Sequence, residues 1–226
     1  MSIAKFSSAV LFPSLIILGG LSLHEAAAGD LRVWEKRQKR FEAESVALFQ
    51  VILERREKED GKKPSPCEFR AEWFEYAVPQ GIAEEYFGST VQADLSPPSN
   101  PGEPAEILDP KGAMREAFCT EKDDDEKLQT ALESLKKGEL KDGKEPAKSL
   151  RRLENYRLEY TIPIFDRHYR RAVVVSSGTR SLWWIQADGK QRRYFDKSIW
   201  ASIYVKRKGR WHLLKDEPLA AGHGGT

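Results

Sequence analysis

Side chains suited to acid–base or metal chemistry are sparse in this chain of 226 residues. Beyond residue 28 the only histidines are His168, in a predicted turn, His212, on a predicted strand, and His223, in a glycine-rich tail. Glu159 and Asp196 lie on or beside predicted strands, where we expect exposed carboxylates rather than pocket groups. The sequence has no Ser–His–Asp order, phosphate-binding loop or metal-ligand cluster. It therefore assigns no catalytic residue, and it predicts neither a metal nor a cofactor.

Cys67 and Cys119 are the only cysteines. In an oxidising compartment two cysteines most simply form one disulfide, and two unpaired buried thiols are the alternative. No histidine lies at ligand spacing from either cysteine, which argues against a metal site.

The first 28 residues have the composition of a secretory signal peptide. Lys5 gives a basic start, residues 9–23 are apolar, and Ala26 and Ala28 supply the small residues before a cleavage site. A membrane anchor is disfavoured, because the apolar stretch falls short of the roughly 20 residues that a spanning helix needs. The sequence predicts an exported protein, periplasmic or secreted, with no membrane span after cleavage.

The charge is unevenly distributed along the chain, whose formal net charge is +2. From residue 156 onward there are fourteen Lys/Arg and six Asp/Glu, a net charge of +8, whereas residues 29–155 carry −6. An acidic helical layer that attracts a basic sheet explains this distribution. The alternative is a basic surface that binds an anionic envelope polymer. No nucleic-acid partner is expected.

Periodicity and composition predict the following segments: a signal peptide at 1–28, a long helix at 29–64, an α+β domain at 65–217 with a proline-rich loop at 94–112 and a charged insert at 120–149, and a flexible tail at 218–226. The helix is predicted over 31–60 because apolar residues recur at spacings of four and seven, and Gly61 and Pro64 are expected to end it.

Shorter amphipathic segments predict three more helices: one from Ser65 to Pro79, one at 114–118 capped by Asp109, and one at 128–135. The first has the parts of a capping box, since Ser65 can cap it and Glu68 can bond back. Aromatic residues also suit a strand, so a strand over 73–78 is the alternative.

From residue 156 the pattern changes to that of an antiparallel sheet. Apolar and polar residues alternate over 156–164 with the period of a half-buried strand. Further strands are predicted at 171–175, 182–186, 199–205 and 211–214. Asp188 and Gly189 predict a type I′ turn that pairs Trp184 with Arg193.

A three-residue loop predicted at 207–209 sets the register of the last hairpin and pairs Tyr204 with His212. One face of this hairpin is predicted to be core and has Ile199, Ala201, Ile203, Val205, Trp211 and Leu213. The opposite face has Trp200, Ser202, Tyr204, Lys206, Arg210 and His212. This second face is half aromatic and half charged, so it differs from a simple solvent surface.

Three sheet motifs are similar to those of a known family: Arg171-Ala-Val-Val-Val175, the glycine turn Asp188-Gly-Lys190, and residues 199–214, in which Lys208-Gly-Arg-Trp-His-Leu213 is the most specific piece. They resemble the closing strands of the nuclear-transport-factor-2-like superfamily, which includes SnoaL-type polyketide cyclases and ketosteroid isomerases. The resemblance covers residues 156–215 and, more loosely, 67–119. It depends on Ile203 and Trp211 sharing one side of the sheet.

The resemblance implies an α+β fold in which N-terminal helices pack on a curved antiparallel sheet, a cone with a pocket inside. Under it the candidate pocket-lining residues are Trp73, Tyr76, Tyr160 and Trp211, with filling of the core as the default alternative for each. Family members often dimerise through the outer face of the sheet, so the candidate interface residues are Trp200, Tyr204 and His212. The long first helix, the proline-rich loop, the charged insert and the disulfide depart from the family pattern.

We therefore expect a non-catalytic domain that binds a small apolar ligand or a protein partner, and a homodimer through the sheet. A lyase- or isomerase-like enzyme is the first alternative, because catalytic members use carboxylate or histidine groups inside the cone. No motif here matches those groups residue by residue. Binding of an anionic envelope polymer by the basic sheet is the second alternative.

Overall fold

The computed structural model describes residues 20–88, 109, 111–137, 151–185 and 190–225, with the side chains of all but 20–34 and 151. Within them there are three α-helices: α1 (Gly20–Asp60), α2 (Gln80–Phe87) and α3 (Glu121–Lys137). The strands are β1 (Phe69–Arg70), β2 (Phe118–Cys119), β3 (Arg151–Tyr160), β4 (Ile164–Phe165), β5 (Arg171–Ile185), β6 (Gln191–Arg207) and β7 (Arg210–Gly225). The arrangement is α+β, as predicted.

All seven strands belong to one mixed sheet of order β2-β1-β3-β5-β6-β7, with β4 paired to β5. β1 runs parallel to β2 and β3, and the other described pairs are antiparallel. The predicted antiparallel meander is confirmed, although the runs at 171–175 and 182–186 belong to the single strand β5.

By its internal contacts the chain divides into two units, Met1–Phe41 and Glu42–Thr226. The first contains the beginning of α1; the second contains the rest of α1 and all other elements. No described helix is both long and apolar enough to cross a membrane. Most of the predicted signal peptide, most of the proline-rich loop and residues 138–149 of the charged insert lie outside the described residues.

One face of the sheet packs against α1 from Glu42 onward, and we refer to it as the α1 face. The helix buries Leu48, Phe49, Ile52 and Leu53. The Phe49 ring lies edge-on to the ring of Tyr160, with centroids 5.6 Å apart. Gly61 follows the last residue of α1 with a φ of +61°, the left-handed conformation of a helix-ending glycine. The predicted end of the helix is therefore confirmed.

The opposite face, the α2/α3 face, is covered at two places. The core under α2 has Ile82, Tyr86, Val173, Val175, Ala201 and Ile203. The core under α3 has Leu132, Leu135 and Ile185. The predicted helix at 128–135 is confirmed as part of α3. Thr120 caps α3, since its hydroxyl donates to Asp123 Oδ2 at 2.7 Å and accepts the Asp123 N–H at 3.2 Å.

The helix predicted from Ser65 is wrong. Glu68 accepts the Ser65 N–H at 2.8 Å, as the capping box predicts, but the chain makes only a turn there. The Glu68 carbonyl accepts the Leu158 N–H at 2.7 Å, and Phe69 pairs with Leu158, so this segment joins the sheet as β1. Residues 73–78 are neither helix nor strand.

Two neighbouring elements also differ from prediction. Pro79 starts a helix instead of ending one, since its carbonyl accepts the Ile82 N–H at 3.0 Å in the first turn of α2. The short helix expected near 114–118 is a single 3₁₀ turn, Arg115–Ala117, followed by β2. Asp109 caps the start of this 3₁₀ turn, as predicted, because its side chain accepts the Met114 N–H at 2.8 Å.

The predicted register of the last hairpin is wrong by one residue. Lys208 and Gly209 both have positive φ, +49° and +80°, so they form a two-residue turn of the hairpin type. Lys206 therefore pairs with Trp211. A shift of one residue exchanges the faces, which places Trp211 on the α1 face and Ile203 on the other. The condition on which the family resemblance depended is not met, and the resemblance stays a prediction.

The register of the β5–β6 hairpin is shifted in the same way. Trp184 pairs with Arg192 rather than Arg193, and the turn predicted at 188–189 lies outside the described residues. β7 continues to Gly225, so the stretch from 218 that was predicted to be a flexible tail is strand.

The predicted disulfide is confirmed. It joins Cys67 to Cys119, 52 positions apart in sequence, with Cα atoms 4.9 Å apart. Acidic helix side chains also meet the basic sheet, as the charge distribution predicts. Lys206 Nζ lies 2.5 Å from Glu44 Oε2, and Arg157 pairs with Asp124.

Candidate binding groove

A groove lies between α1 and the α1 face of the sheet. Its volume is about 320 Å³, within the range of small-molecule sites. α1 forms one wall and strands β3, β5, β6 and β7 form the floor. The polar and aromatic lining includes Tyr156, Tyr160 and Tyr204 and the serines Ser176, Ser198 and Ser202.

The strand register explains how the middle of the groove stays open. Leu158, Gly178 and Ser198 lie side by side across β3, β5 and β6. A Cβ atom on Gly178 would lie 3.0 Å from Tyr156 Oη and 3.5 Å from Ser198 Oγ. Glycine at this position therefore leaves room that any other residue would fill.

The charged groups of the wall are already paired. Arg55 on α1 donates from Nη2 to Asp216 Oδ2 at 2.8 Å and from Nε to Glu59 Oε1 at 2.6 Å. Asp216 also accepts the Ser202 hydroxyl at 2.6 Å. Because it is held by an arginine and a hydroxyl, the Asp216 carboxylate is a structural anchor of α1 rather than a free acid–base group.

Arg56 extends from α1 in the wall of the groove to Tyr156 in its floor. Its guanidinium carbon lies 5.4 Å from the centre of the Tyr156 ring. Its Nη2 lies 3.5 Å from the buried carboxylate of Glu68, and its Nε lies 2.9 Å from Asp60.

The three tyrosines are held in their neutral form. Burial raises the pKa of Tyr160 and of Tyr156, and it raises the pKa of Tyr204 to about 12. At neutral pH each phenol therefore carries an O–H group. Trp200, which is 41 % exposed, forms the rim.

The candidate pocket-lining residues do not line one pocket. Tyr160 lies in the groove. Trp73 is partly buried against Phe49, with ring centroids 5.2 Å apart. Trp211 is buried on the α1 face, where its Nε1 donates to Glu44. Tyr76 packs on the α2/α3 face.

The candidate interface residues do not form one surface. Trp200 and Tyr204 both line the groove, and Tyr204 is only 2 % exposed. His212 pairs with Val205 and is exposed on the other face. These three residues therefore do not form the single outer patch on which the expected homodimer depended.

The remaining titratable candidates lie outside the main groove. Glu159 is 4.0 Å from Arg70 on the α2/α3 face. Asp196 accepts the Tyr194 hydroxyl at 2.7 Å and pairs with His223 across β6 and β7. His168 lies exposed in the turn after β4.

Sequence reasoning missed most of the groove, notably Arg55, Gly178, Ser198 and Asp216. The alternation of β6 contained a signal, because Ser198 and Ser202 lie at positions that alternate with Ile199, Ala201 and Ile203. β5 gave no such signal around Gly178, because Ser177 and Thr179 are polar as well. The correct register was needed to bring them together.

The described residues hold no cluster of three or more metal-ligating side chains. No protein-family model matches the chain, and neither a curated protein nor a solved structure is significantly similar to it.

Proposed function

We propose that this protein is an exported, non-catalytic binding protein whose groove holds a small, uncharged amphipathic molecule. The observation that carries the proposal is the make-up of the groove: phenol rings and the Trp200 indole surround a row of serine hydroxyls in about 320 Å³. Aromatic faces provide apolar contact area, and a few hydroxyls orient a ligand through hydrogen bonds.

The absence of net charge in the wall favours an uncharged ligand. Arg55 is paired with Asp216 and Glu59, and the buried tyrosines are neutral. A charged ligand group would remain unpaired in the groove or would have to break one of these pairs, and both cost free energy.

Two further expectations belong to the proposal. The groove lies between a long helix and an antiparallel sheet, where the nuclear-transport-factor-2-like resemblance implies a pocket, but Ile203 and Trp211 lie on opposite faces of the sheet, so the proposal does not depend on that family. The disulfide Cys67–Cys119 supports export to an oxidising compartment.

Dye binding tests the proposal. Nile red is uncharged and brightens in apolar surroundings, and we expect the purified mature protein to bind it at one saturable site. Trp200→Ala removes the aromatic rim and should weaken binding about tenfold. Trp184→Ala is the matched control, since Trp184, on β5, lies on the α1 face of the sheet as Trp200 does but outside the groove. Equal effects of the two substitutions, or saturable binding only of an anionic dye, would contradict the proposal.

A second pair of variants tests the open space beside Gly178 in the middle of the groove. Gly178→Ala places a methyl group against Tyr156 and should reduce Nile red affinity, whereas Gly222→Ala adds its methyl group in open space and should not. Native mass spectrometry of protein purified from its own host then identifies the natural ligand by mass.

A further inference from the structure

A second cleft adjoins the groove on the α1 face of the sheet. Its volume is about 290 Å³, and it shares Tyr156, Gly178 and Ser198 with the groove. Its described lining comes from β3, β5, β6 and β7, whereas α1 lines the groove as far as Glu59. The groove and the second cleft therefore meet beside Gly178, and together they form one elongated cavity, which we call the joined cavity.

Polar side chains cross the second cleft in a row. The row has one residue from each of the four strands, namely Tyr156, Arg180, Asp196 and His223. Arg180 Nε donates to Glu154 Oε1 at 2.6 Å, and Asp196 accepts the Tyr194 hydroxyl at 2.7 Å. The amine of Lys197 is directed to the other face, where it lies 5.2 Å from the centre of the Phe74 ring. Arg180 thus has two carboxylates beside it, and the row has no excess of positive charge.

The joined cavity is poor in aliphatic side chains. Those in its described lining are Ile52, Leu158, Val174 and Ala221. A hydrocarbon chain bound there would cover hydroxyl and charged groups without offering them hydrogen bonds, which costs free energy. A ligand rich in hydroxyl groups avoids this cost, because each hydroxyl donates one hydrogen bond and accepts others. The lining therefore favours a polyhydroxyl ligand over a lipid.

The aromatic rings of the cavity provide flat surfaces for such a ligand. The Trp200 indole is 41 % exposed at the rim. Ser198, Trp200 and Ser202 occupy alternate positions of β6 on the α1 face, so a hydroxyl lies on either side of the indole along the strand. A sugar ring has an apolar C–H face that packs on an aromatic ring and a rim of hydroxyls that form hydrogen bonds. The alternation on β6 matches both properties.

We propose that the joined cavity binds a neutral oligosaccharide, with one ring stacked on Trp200 and the following rings extending over Gly178 into the second cleft. The length of the site supports several rings, since β6 spans roughly 27 Å from Tyr204 to Asp196 along its floor. The inference rests on the function proposed for the groove and names the chemical class of its ligand.

The test is isothermal titration calorimetry of the purified protein with three neutral tetrasaccharides: maltotetraose, cellotetraose and tetra-N-acetylchitotetraose. We expect at least one of them to bind at a single saturable site and to displace Nile red. The corresponding disaccharide should bind about tenfold more weakly, because it leaves the second cleft empty. Asp196→Ala should weaken tetrasaccharide binding about tenfold, since a hydrogen bond to a charged group is lost. Asp125→Ala, which removes an exposed carboxylate on α3, is the matched control and should leave the affinity unchanged.

The two proposals fail in different ways. If Nile red binds saturably but no neutral tetrasaccharide displaces it, the oligosaccharide is refuted and the function proposed for the groove stands. If neither binds, both are refuted. Tighter binding of the acidic tetragalacturonate or of the cationic chitosan tetramer would contradict a neutral ligand.

The contribution of the second cleft is tested separately. A disaccharide that binds as tightly as the tetrasaccharide, or equal effects of Asp196→Ala and Asp125→Ala, would show that the ligand does not enter this cleft. If Asp196→Ala does not fold, His223→Ala replaces it, because His223 is an exposed member of the same row. That variant should weaken tetrasaccharide binding several-fold, and an unchanged affinity would overturn the proposed extension of the site.

Discussion

Replacing Glu44 with glutamine should loosen α1 from the sheet. The Glu44 carboxylate accepts Lys206 Nζ at 2.6 and 2.5 Å and Trp211 Nε1 at 3.2 Å. The side chains of Glu44 and Lys206 are 14 % and 24 % exposed, so the pair is intermediate between a surface pair and a buried pair. A surface ion pair contributes at most about 1 kcal/mol, and disruption of a buried pair costs about 3–5 kcal/mol. We therefore expect Glu44→Gln to lower the free energy of unfolding by about 2 kcal/mol.

Urea unfolding measures this loss as a lower midpoint with an unchanged slope. Thermal unfolding should show a midpoint lowered by about 4–8 °C for a chain of this size. Glu54→Gln is the matched control, because Glu54 is exposed on the same helix and accepts a hydrogen bond from the exposed side chain of Gln50; it should cost less than about 0.5 kcal/mol. A double-mutant cycle with Lys206→Met should give a coupling of about 1 kcal/mol. A coupling near zero would refute the view that this pair anchors the helix.

Three other changes test separate parts of the fold. Replacing Cys67 and Cys119 with alanine should cost up to about 4 kcal/mol, since the disulfide closes a loop between residues 52 positions apart; urea unfolding with and without reductant should give the same loss. Lys208→Asn should raise the free energy of unfolding by about 0.5–1 kcal/mol, because asparagine tolerates the φ of +49° better than lysine does, and Arg207→Asn should give no such gain. Stability should fall as the pH rises from about 10 to about 12: the Tyr204 pKa of about 12 in the folded protein lies above the value of about 10 in the unfolded chain, so the unfolded state loses its proton first. This term amounts to about 2–3 kcal/mol, and Tyr204→Phe should flatten the pH dependence of the urea midpoint.

The long helices and the meander were predictable because their signals are local. Apolar residues repeat along α1 and α3 with the helical period, and Gly61 marks a helix end. The strands β1 and β2 have two residues each, too few to show any period. They form because distant segments supply their hydrogen bonds, which no local pattern reveals.

The groove was not predictable for a related reason. Assigning a residue to a face of the sheet required the register, and the register depended on whether Lys208 takes a positive φ. Lysine rarely does, so the sequence favoured a three-residue loop, and the single-residue error moved Trp211 to the wrong side.

The length of β7 determines how much of the edge of β6 is covered. Gly225 pairs with Tyr194, and the strand runs along nearly all of β6. β7 therefore covers one edge of β6, in the part of the sheet that supports the groove. Removal of β7 should consequently expose the edge of β6, and with it a surface on which other chains that lack β7 can assemble.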